Sequence, residues 1–181
     1  MSYTVETSAV SYCPACGASL GARETHEGER PYCPDCDLTL YRNPIPMARA
    51  TVVDGDRALL IEMGEGRDEG AWALAGGHCL CDEPPAVTAA RELEEETGLS
   101  VDPADLTLVG DGFLRFEDGV SMVSFNYAAA AADATGTVEA ADDAADARFW
   151  TRTEIEGSPP LLRASGRAQV LDAIDRLGRD R

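Results

Sequence analysis

The sequence predicts an α/β protein, a mixed-sheet sandwich over residues 41–181 preceded by a small cysteine-built ribbon over residues 1–40. Three observations carry this. Two Cys-x-x-Cys pairs open the chain, strand-like runs lie on both sides of one central helical segment, and an amphipathic helix closes it. The 181 residues suit one domain with a small appendage, and a hydrophobic content of 44% is ample for a core.

The ribbon comes first. Cys13-Pro-Ala-Cys16 and Cys33-Pro-Asp-Cys36 are separated by 16 residues, the spacing of paired zinc knuckles. Two intervening residues let both thiolates of a pair face one ion, and two such pairs complete a tetrahedron. Gly17 follows the first pair, where a tight turn calls for left-handed backbone. A segment this short buries too little surface to fold unaided, and a bound metal supplies the missing stability. A redox pair or two disulfides would use the same residues. The absence of a basic stretch leading into an apolar one in Met1–Val10 favours zinc and a cytoplasmic location.

Tyr41–Pro46 carries two prolines and reads as a semi-rigid entry into the sheet. Ala48–Val53 and Arg57–Met63 flank Asp54-Gly55, a hairpin signal. Trp72–Ala75 is a short strand entering Gly76-Gly77. Asp82-Glu83-Pro84-Pro85 predicts a helix start with an acidic cap and proline in the first turn. The helix runs from Ala86 to Thr97, packs Ala86, Ala89, Ala90 and Leu93 inward, and stops at Gly98. Leu106–Phe116 and Val120–Ala128 form a second hairpin, with Val123, Phe125 and Tyr127 alternating against Met122, Ser124 and Asn126. Arg148–Trp150 is a last short strand, and Val170, Leu171, Ile174 and Leu177 mark the closing helix.

The charge is extreme. Thirty-three acidic residues face 15 basic ones, all arginine, for a net charge of −18. Such a field repels polyanions, so nucleic acid and anionic membrane surfaces are poor partners. No apolar run approaches the ~20 residues of a membrane helix. The acidic residues are spread along the chain, which fits adaptation of the whole surface to concentrated salt, the halophilic pattern.

The segment that carries chemistry is Arg91-Glu92-Leu93-Glu94-Glu95-Glu96-Thr97-Gly98-Leu99. On a helix Glu92, Glu95 and Glu96 share one narrow sector, and crowded carboxylates are destabilising unless a cation offsets them. Magnesium and manganese accept such hard oxygen ligands. A solvated acidic helix face has the same composition, so the carboxylates alone leave both readings open.

The frame around them is more specific. Gly77, Glu83, Arg91-Glu92-Leu93, Glu95-Glu96 and Gly98-Leu99 occupy every fixed position of the Nudix box. Together with Trp72-Ala-Leu-Ala-Gly-Gly77, they make the chain resemble the Nudix hydrolases from about Ala48 to Trp150. The resemblance implies a Nudix-type α/β/α sandwich and hydrolysis, dependent on magnesium or manganese, of a nucleoside diphosphate linked to another group. It implies metal ligation by Glu95 and Glu96, with Glu92 a further ligand or the group that orients water. It further implies that the Gly76 carbonyl joins the metal shell and that Arg91 pairs with Glu83 and Glu92 to hold the carboxylates. A general base outside the box is expected, with Glu139, Asp142, Asp143 and Asp146 as candidates, though an ordinary acidic loop has the same composition. In the same reading adenine would stack on one of Phe113, Phe116, Tyr127 or Trp150, each otherwise plain core, and Arg49, Arg67 or Arg115 would hold the distal phosphate or ribose, or else be solvated at the surface.

A zinc ribbon ahead of a Nudix domain resembles the NADH pyrophosphatase arrangement, so ADP-ribose or a nicotinamide dinucleotide is the implied small-molecule substrate. The Ser-Gln-Pro-Trp-type segment of that group is absent, and Gly110–Phe116 reads Gly-Asp-Gly-Phe-Leu-Arg-Phe. Asp82 stands where glycine commonly precedes the box glutamate. His78, Cys79 and Cys81 are too crowded for a second tetrahedral site, so the cysteines read as small apolar residues. The alternative is a ribbon that binds RNA or a protein through Arg23, Arg30 and Arg42 around Tyr32 and Tyr41, with the Nudix domain serving recognition or RNA cap removal. A homodimer formed through the ribbon is a further expectation.

Overall fold

The computed structural model describes residues 2–5, 10–65, 69–117, 119–157 and 164–178, and its contacts divide the chain into two units. Unit 1 comprises Met1–Ile45 and Phe113–Val123, and unit 2 comprises Pro46–Gly112 and Ser124–Arg181.

In unit 1, strands β1 (Ser2–Val5), β2 (Gly21–Thr25), β3 (Gly28–Cys33) and β4 (Leu38–Arg42) form a sheet in the order β1-β4-β3-β2. β1 runs parallel to β4, and the β2–β3 and β3–β4 pairs are antiparallel hairpins. The apolar interior is small: Cys13, Cys33, Leu38 and Leu40 bury together. Gly17, at φ +76°, turns the first knuckle and donates its amide to the Cys13 carbonyl at 2.9 Å.

Unit 2 is built on β5 (Ile45–Asp54), which turns at Asp54-Gly55 into β6 (Arg57–Met63). With β7 (Trp72–Ala73), β8 (Ala75–His78), β10 (Thr107–Arg115), β11 (Ser121–Ala130) and β13 (Ala144–Thr151) they make a seven-stranded sheet. Its main path is β10-β11-β5-β6-β13, with β7 paired to β6 and β8 to β5. β5 and β6 read as continuous apolar runs because both of their faces are covered. Ala48, Ala50, Val52, Leu59 and Ile61 pack with Ala89 and Leu93 of helix α1 (Pro85–Thr97). Val53, Ala58 and Leu60 pack with Val170, Ala173 and Ile174 of helix α3 (Ala164–Leu177) on the opposite side. The result is the expected mixed α/β sandwich.

Three expectations need correction, and one strand alternates as expected but with its polar face inward. Asp82 does not cap α1. The N-cap is Pro84, extended at ψ 148°, and its carbonyl accepts the Val87 and Thr88 amides at 2.9 and 3.1 Å. Backbone geometry set by the two prolines thus replaces a side-chain cap. In β11 the polar face is the buried one: Ser124 and Asn126 are 2% and 0% exposed, whereas Phe125 and Tyr127 are half-buried. Asn126 is accommodated by donating to Ser124 Oγ at 3.2 Å, and Gly112 leaves the space that the Ser124 hydroxyl fills. The last strand is longer than Arg148–Trp150, because its pairing with β6 extends from Ala144 to Thr151 through an irregularity between Ala144 and Asp146. Finally, the Trp72–Ala75 strand is two short ones that pair with different neighbours.

Several elements had no clear sequence signal. β9 (Leu99–Val101) pairs with β12 (Ala134–Gly136), and the short helix α2 (Arg152–Glu156) opens with a Thr151/Glu154 capping box. Among the described residues no helix is long and apolar enough to cross a membrane.

Candidate active site and cysteine cluster

Helix α1 carries the acidic residues, and the loop from β8 meets it. Gly76 lies where β8 crosses β5, and a Cβ there would collide with the Ala48 carbonyl oxygen. The bare backbone therefore lies close to β5, and the Gly76 amide donates to Glu96 Oε2 at 2.8 Å. A Cβ on Gly77 would collide with the Glu92 carboxylate, so this glycine makes room for an acidic side chain. At the other end, Gly98 is left-handed at φ +70°, and its amide closes the helix on the Glu94 carbonyl at 2.9 Å.

Arg91 organises three carboxylates. Its Nε and Nη2 donate to Glu83 at 3.1–3.2 Å, and Nη1 lies 2.8 Å from both Glu92 Oε1 and Glu95 Oε2. The Thr88 hydroxyl adds a 3.0 Å bond to Glu83, a partner that no spacing rule pointed to. The Arg91 guanidinium, followed by Thr88, holds the Glu83 carboxyl below its usual range. Glu92 moves the other way, because its burial outweighs the attraction of Arg91.

Glu96 is the most perturbed. It is 4% exposed, and burial lifts its pKa from 4.5 to about 8 against the opposing Gly76 amide. The charges of Glu92, Asp143 and Asp142 add to the rise. Of the four candidate bases, then, Asp142 and Asp143 are brought to the box. The loop is tied to the end of α1 by the Glu139 amide on the Thr97 carbonyl and the Ala141 amide on the Glu96 carbonyl. The Asp146 carboxylate instead accepts the Ala147 amide at 2.8 Å.

The remaining candidates scatter. Trp150 is buried edge-to-face against Trp72, with ring centroids 4.8 Å apart and Arg148 over its other side, so it is core. Tyr127 packs against the α1-side cluster. Phe113, Phe116 and Arg115 belong to unit 1, Arg49 reaches Met47 Sδ, and Arg67 lies outside the described residues. Cys79 packs at the edge of the core and Cys81 is exposed. In the ribbon, Arg23 lies over the Tyr32 ring at 3.5 Å and pairs with Asp37 at 2.6 Å, so both residues are engaged within their own sheet.

Cys13, Cys16, Cys33 and Cys36 hold their sulfurs within 4.8 Å of one another, the one such group of metal-ligating side chains among the described residues. Cys16 and Cys33 Sγ are 3.7 Å apart, close to the ~3.8 Å edge of a tetrahedron with zinc–sulfur bonds of ~2.3 Å. Burial works against ionisation of Cys13, yet the Ala15 and Cys16 amides and neighbouring thiols bring its pKa from 9.0 to about 7. Cys36 is pushed up to about 12 by hydrogen bonding to Cys16 and by burial. Four thiols so close cannot all ionise without a cation, and the donor set fits zinc.

A sequence model of the NUDIX domain matches residues 44–174, most of the chain. The chain belongs to the Nudix family. It is a Nudix hydrolase, 31% identical over 134 residues to a MutT-like protein of Streptomyces ambofaciens, with 74% of this chain and 79% of that protein covered. The Nudix fold is equally evident in solved structures. A NUDIX hydrolase from Nitrosomonas europaea superposes with a TM-score of 0.75 at 18% identity, over 95% of this chain and 94% of that one. The NUDIX domain of Shewanella oneidensis NrtR, complexed with ADP ribose, gives 0.62 at 19% identity, over 81% and 94%.

Proposed function

We propose that this Nudix hydrolase cleaves the pyrophosphate of a nucleoside diphosphate linked to a second group, with magnesium or manganese held by Glu92, Glu95, Glu96 and the Gly76 carbonyl. The observation that carries the reading is the buried Glu96 carboxylate, which feels the charges of Glu92, Asp143 and Asp142 and has the Gly76 amide as counterweight. These oxygens have more negative charge than their surroundings neutralise, and carboxylate and carbonyl oxygens are the donor class that a hard divalent cation would draw together. Bound there, the ion polarises phosphoryl oxygens and lowers the pKa of a water. Arg91 sets the Glu92 and Glu95 carboxylates side by side, and Glu83 with Thr88 fixes Arg91. The Gly76 amide aims Glu96. Asp142, close enough to act on both Glu92 and Glu96, takes the proton of the attacking water on its carboxylate.

ADP-ribose is the first substrate to try, since the NrtR domain is complexed with it, and NADH is the second because of the cysteine cluster ahead of the catalytic unit. In this reading the four cysteines hold a structural zinc. Glu96→Gln is expected to lower turnover of ADP-ribose at least ~100-fold at saturating Mg²⁺ with a parent-like far-ultraviolet circular dichroism spectrum. Phosphate-release assays over a panel of nucleoside diphosphate derivatives, with Mg²⁺ and with Mn²⁺, measure this. Near-wild-type turnover in the variant would overturn the metal assignment.

A further inference from the structure

Unit 1 contains a cleft of about 520 Å³ whose walls include Arg30 of β3, Arg42 of β4, and Phe113 and Arg115 of the β10–β11 hairpin. This volume lies in the range of small-molecule sites. Its charge is the reverse of the chain's. The net charge is −18, yet among the described residues three guanidiniums line this cleft against one carboxylate, Glu29.

How the arginines are engaged matters more than their number. Arg23, Arg57, Arg91, Arg148, Arg152 and Arg176 all face carboxylates within 4.0 Å. In the cleft, Arg30 has a loose pair with Glu27 at 3.4 Å. Arg42 Nη2 donates to the neutral Gly119 carbonyl at 2.6 Å, which fixes the side chain, and no carboxylate pairs with it among the described residues. Arg115 has no ion pair among the described residues. Like charges around one cleft repel, and an arginine fork is shaped for phosphate oxygens. Beside them Phe113 is 64% exposed, a large apolar ring presented to solvent. Cationic forks next to a free aromatic face suit a phosphate joined to a planar base.

We infer that this cleft is a second ligand site, separate from the box carboxylates, that takes a mononucleotide: phosphate on Arg30, Arg42 and Arg115, and base on Phe113. Because its charge comes from arginine, the site needs no divalent cation, unlike the acidic box. That difference supplies the test.

The experiment is calorimetric titration of the full-length, zinc-loaded chain with AMP in magnesium-free buffer. One equivalent of AMP is expected to bind without divalent metal and to weaken as salt rises. Arg115→Ser and Arg30→Ser, on different strands, should each weaken it about tenfold or more. Adenosine and inorganic phosphate should each bind correspondingly worse than AMP. Zinc stoichiometry and thermal midpoints of the variants separate loss of the site from loss of the fold. Glu96→Gln should bind AMP as the parent does, whatever it does to turnover. The inference is overturned by absence of saturable metal-free binding, by parent-like affinity in both folded arginine variants, or by loss of binding in Glu96→Gln. A 5′-phosphorylated oligoribonucleotide that bound about tenfold tighter than AMP would overturn it too, and would assign the cleft to RNA.

Discussion

Glu96 is pulled two ways. The helix period places it with Glu92 and Glu95, but packing against β8 buries it and gives it the Gly76 amide, a partner 20 residues earlier. In the unfolded chain its proton leaves near 4.5, and in the metal-free fold near 8. Between those values the folded chain binds the extra proton, so this group's contribution to stability is full below 4.5 and declines as pH rises toward 8. Thermal melts of magnesium-free protein should show a midpoint that falls across that window, with the fall reduced in Glu96→Gln. Saturating Mg²⁺ should raise the midpoint most at the upper end, where the carboxylate is freest to ionise. A Glu96→Gln profile as steep as the parent's would show that another group is responsible. The three box glutamates were legible in the sequence because they lie within one helical turn of each other. Their depth was not, since burial depends on what β8 and the Asp142 loop bring against them.

At the scale of elements, the two units differ in what holds them. Unit 2 has apolar clusters on both faces of its sheet, whereas among the described residues the fully buried part of the unit 1 core is four residues, two of them from the four-cysteine group. Burial of that size falls short of the entropy of ordering about 30 residues at ~1–2 kcal/mol each, so under the proposed zinc reading the metal would supply the difference. Chelation of zinc, or Cys33→Ser, should remove amide-exchange protection from β2, β3 and β4 while β5, β6 and α1 stay protected. Hydrogen exchange read by mass spectrometry measures both regions at once. Retained protection in the ribbon would show that the sheet stands on side-chain packing alone. The ribbon's position was readable from Cys-x-x-Cys spacing, but its strands were not. Gly21–Thr25 and Gly28–Cys33 mix charged, glycine and proline residues, and pairing rather than hydrophobic alternation makes them β.

For the whole molecule, the excess of 18 negative charges sets the response to salt. Two effects oppose each other. Surface pairs such as Arg23–Asp37 and Arg152–Asp175 weaken as salt is added, but each contributes only ~0–1 kcal/mol. Relief of self-repulsion acts on the entire surface, and at ~1 M salt the screening length shrinks to ~3 Å. The second effect should win. Thermal midpoints by circular dichroism are expected to rise from dilute to molar potassium chloride, and a midpoint that fell or stayed level would argue against salt adaptation. The same charge opposes a phosphate ligand except where the sign is reversed locally. Among the described residues the arginine cleft of unit 1 meets that condition, and in the proposed reading the acidic box would meet it once it held a divalent ion.

The sequence by itself determined what depends on near neighbours: the box glutamates on one helix face, the glycine stop at Gly98, the hairpin at Asp54-Gly55 and the metal-spaced cysteines. Only the tertiary structure decided what depends on distant ones. It brought Asp142 and Asp143 to Glu96 and turned the polar face of β11 inward. It also set Arg42 beside Gly119, 77 residues away, where the arginine cleft forms. The physical reason is range. Helical and strand periods relate residues a few positions apart, whereas strand pairing and packing relate residues whose separation along the chain carries no periodic signal.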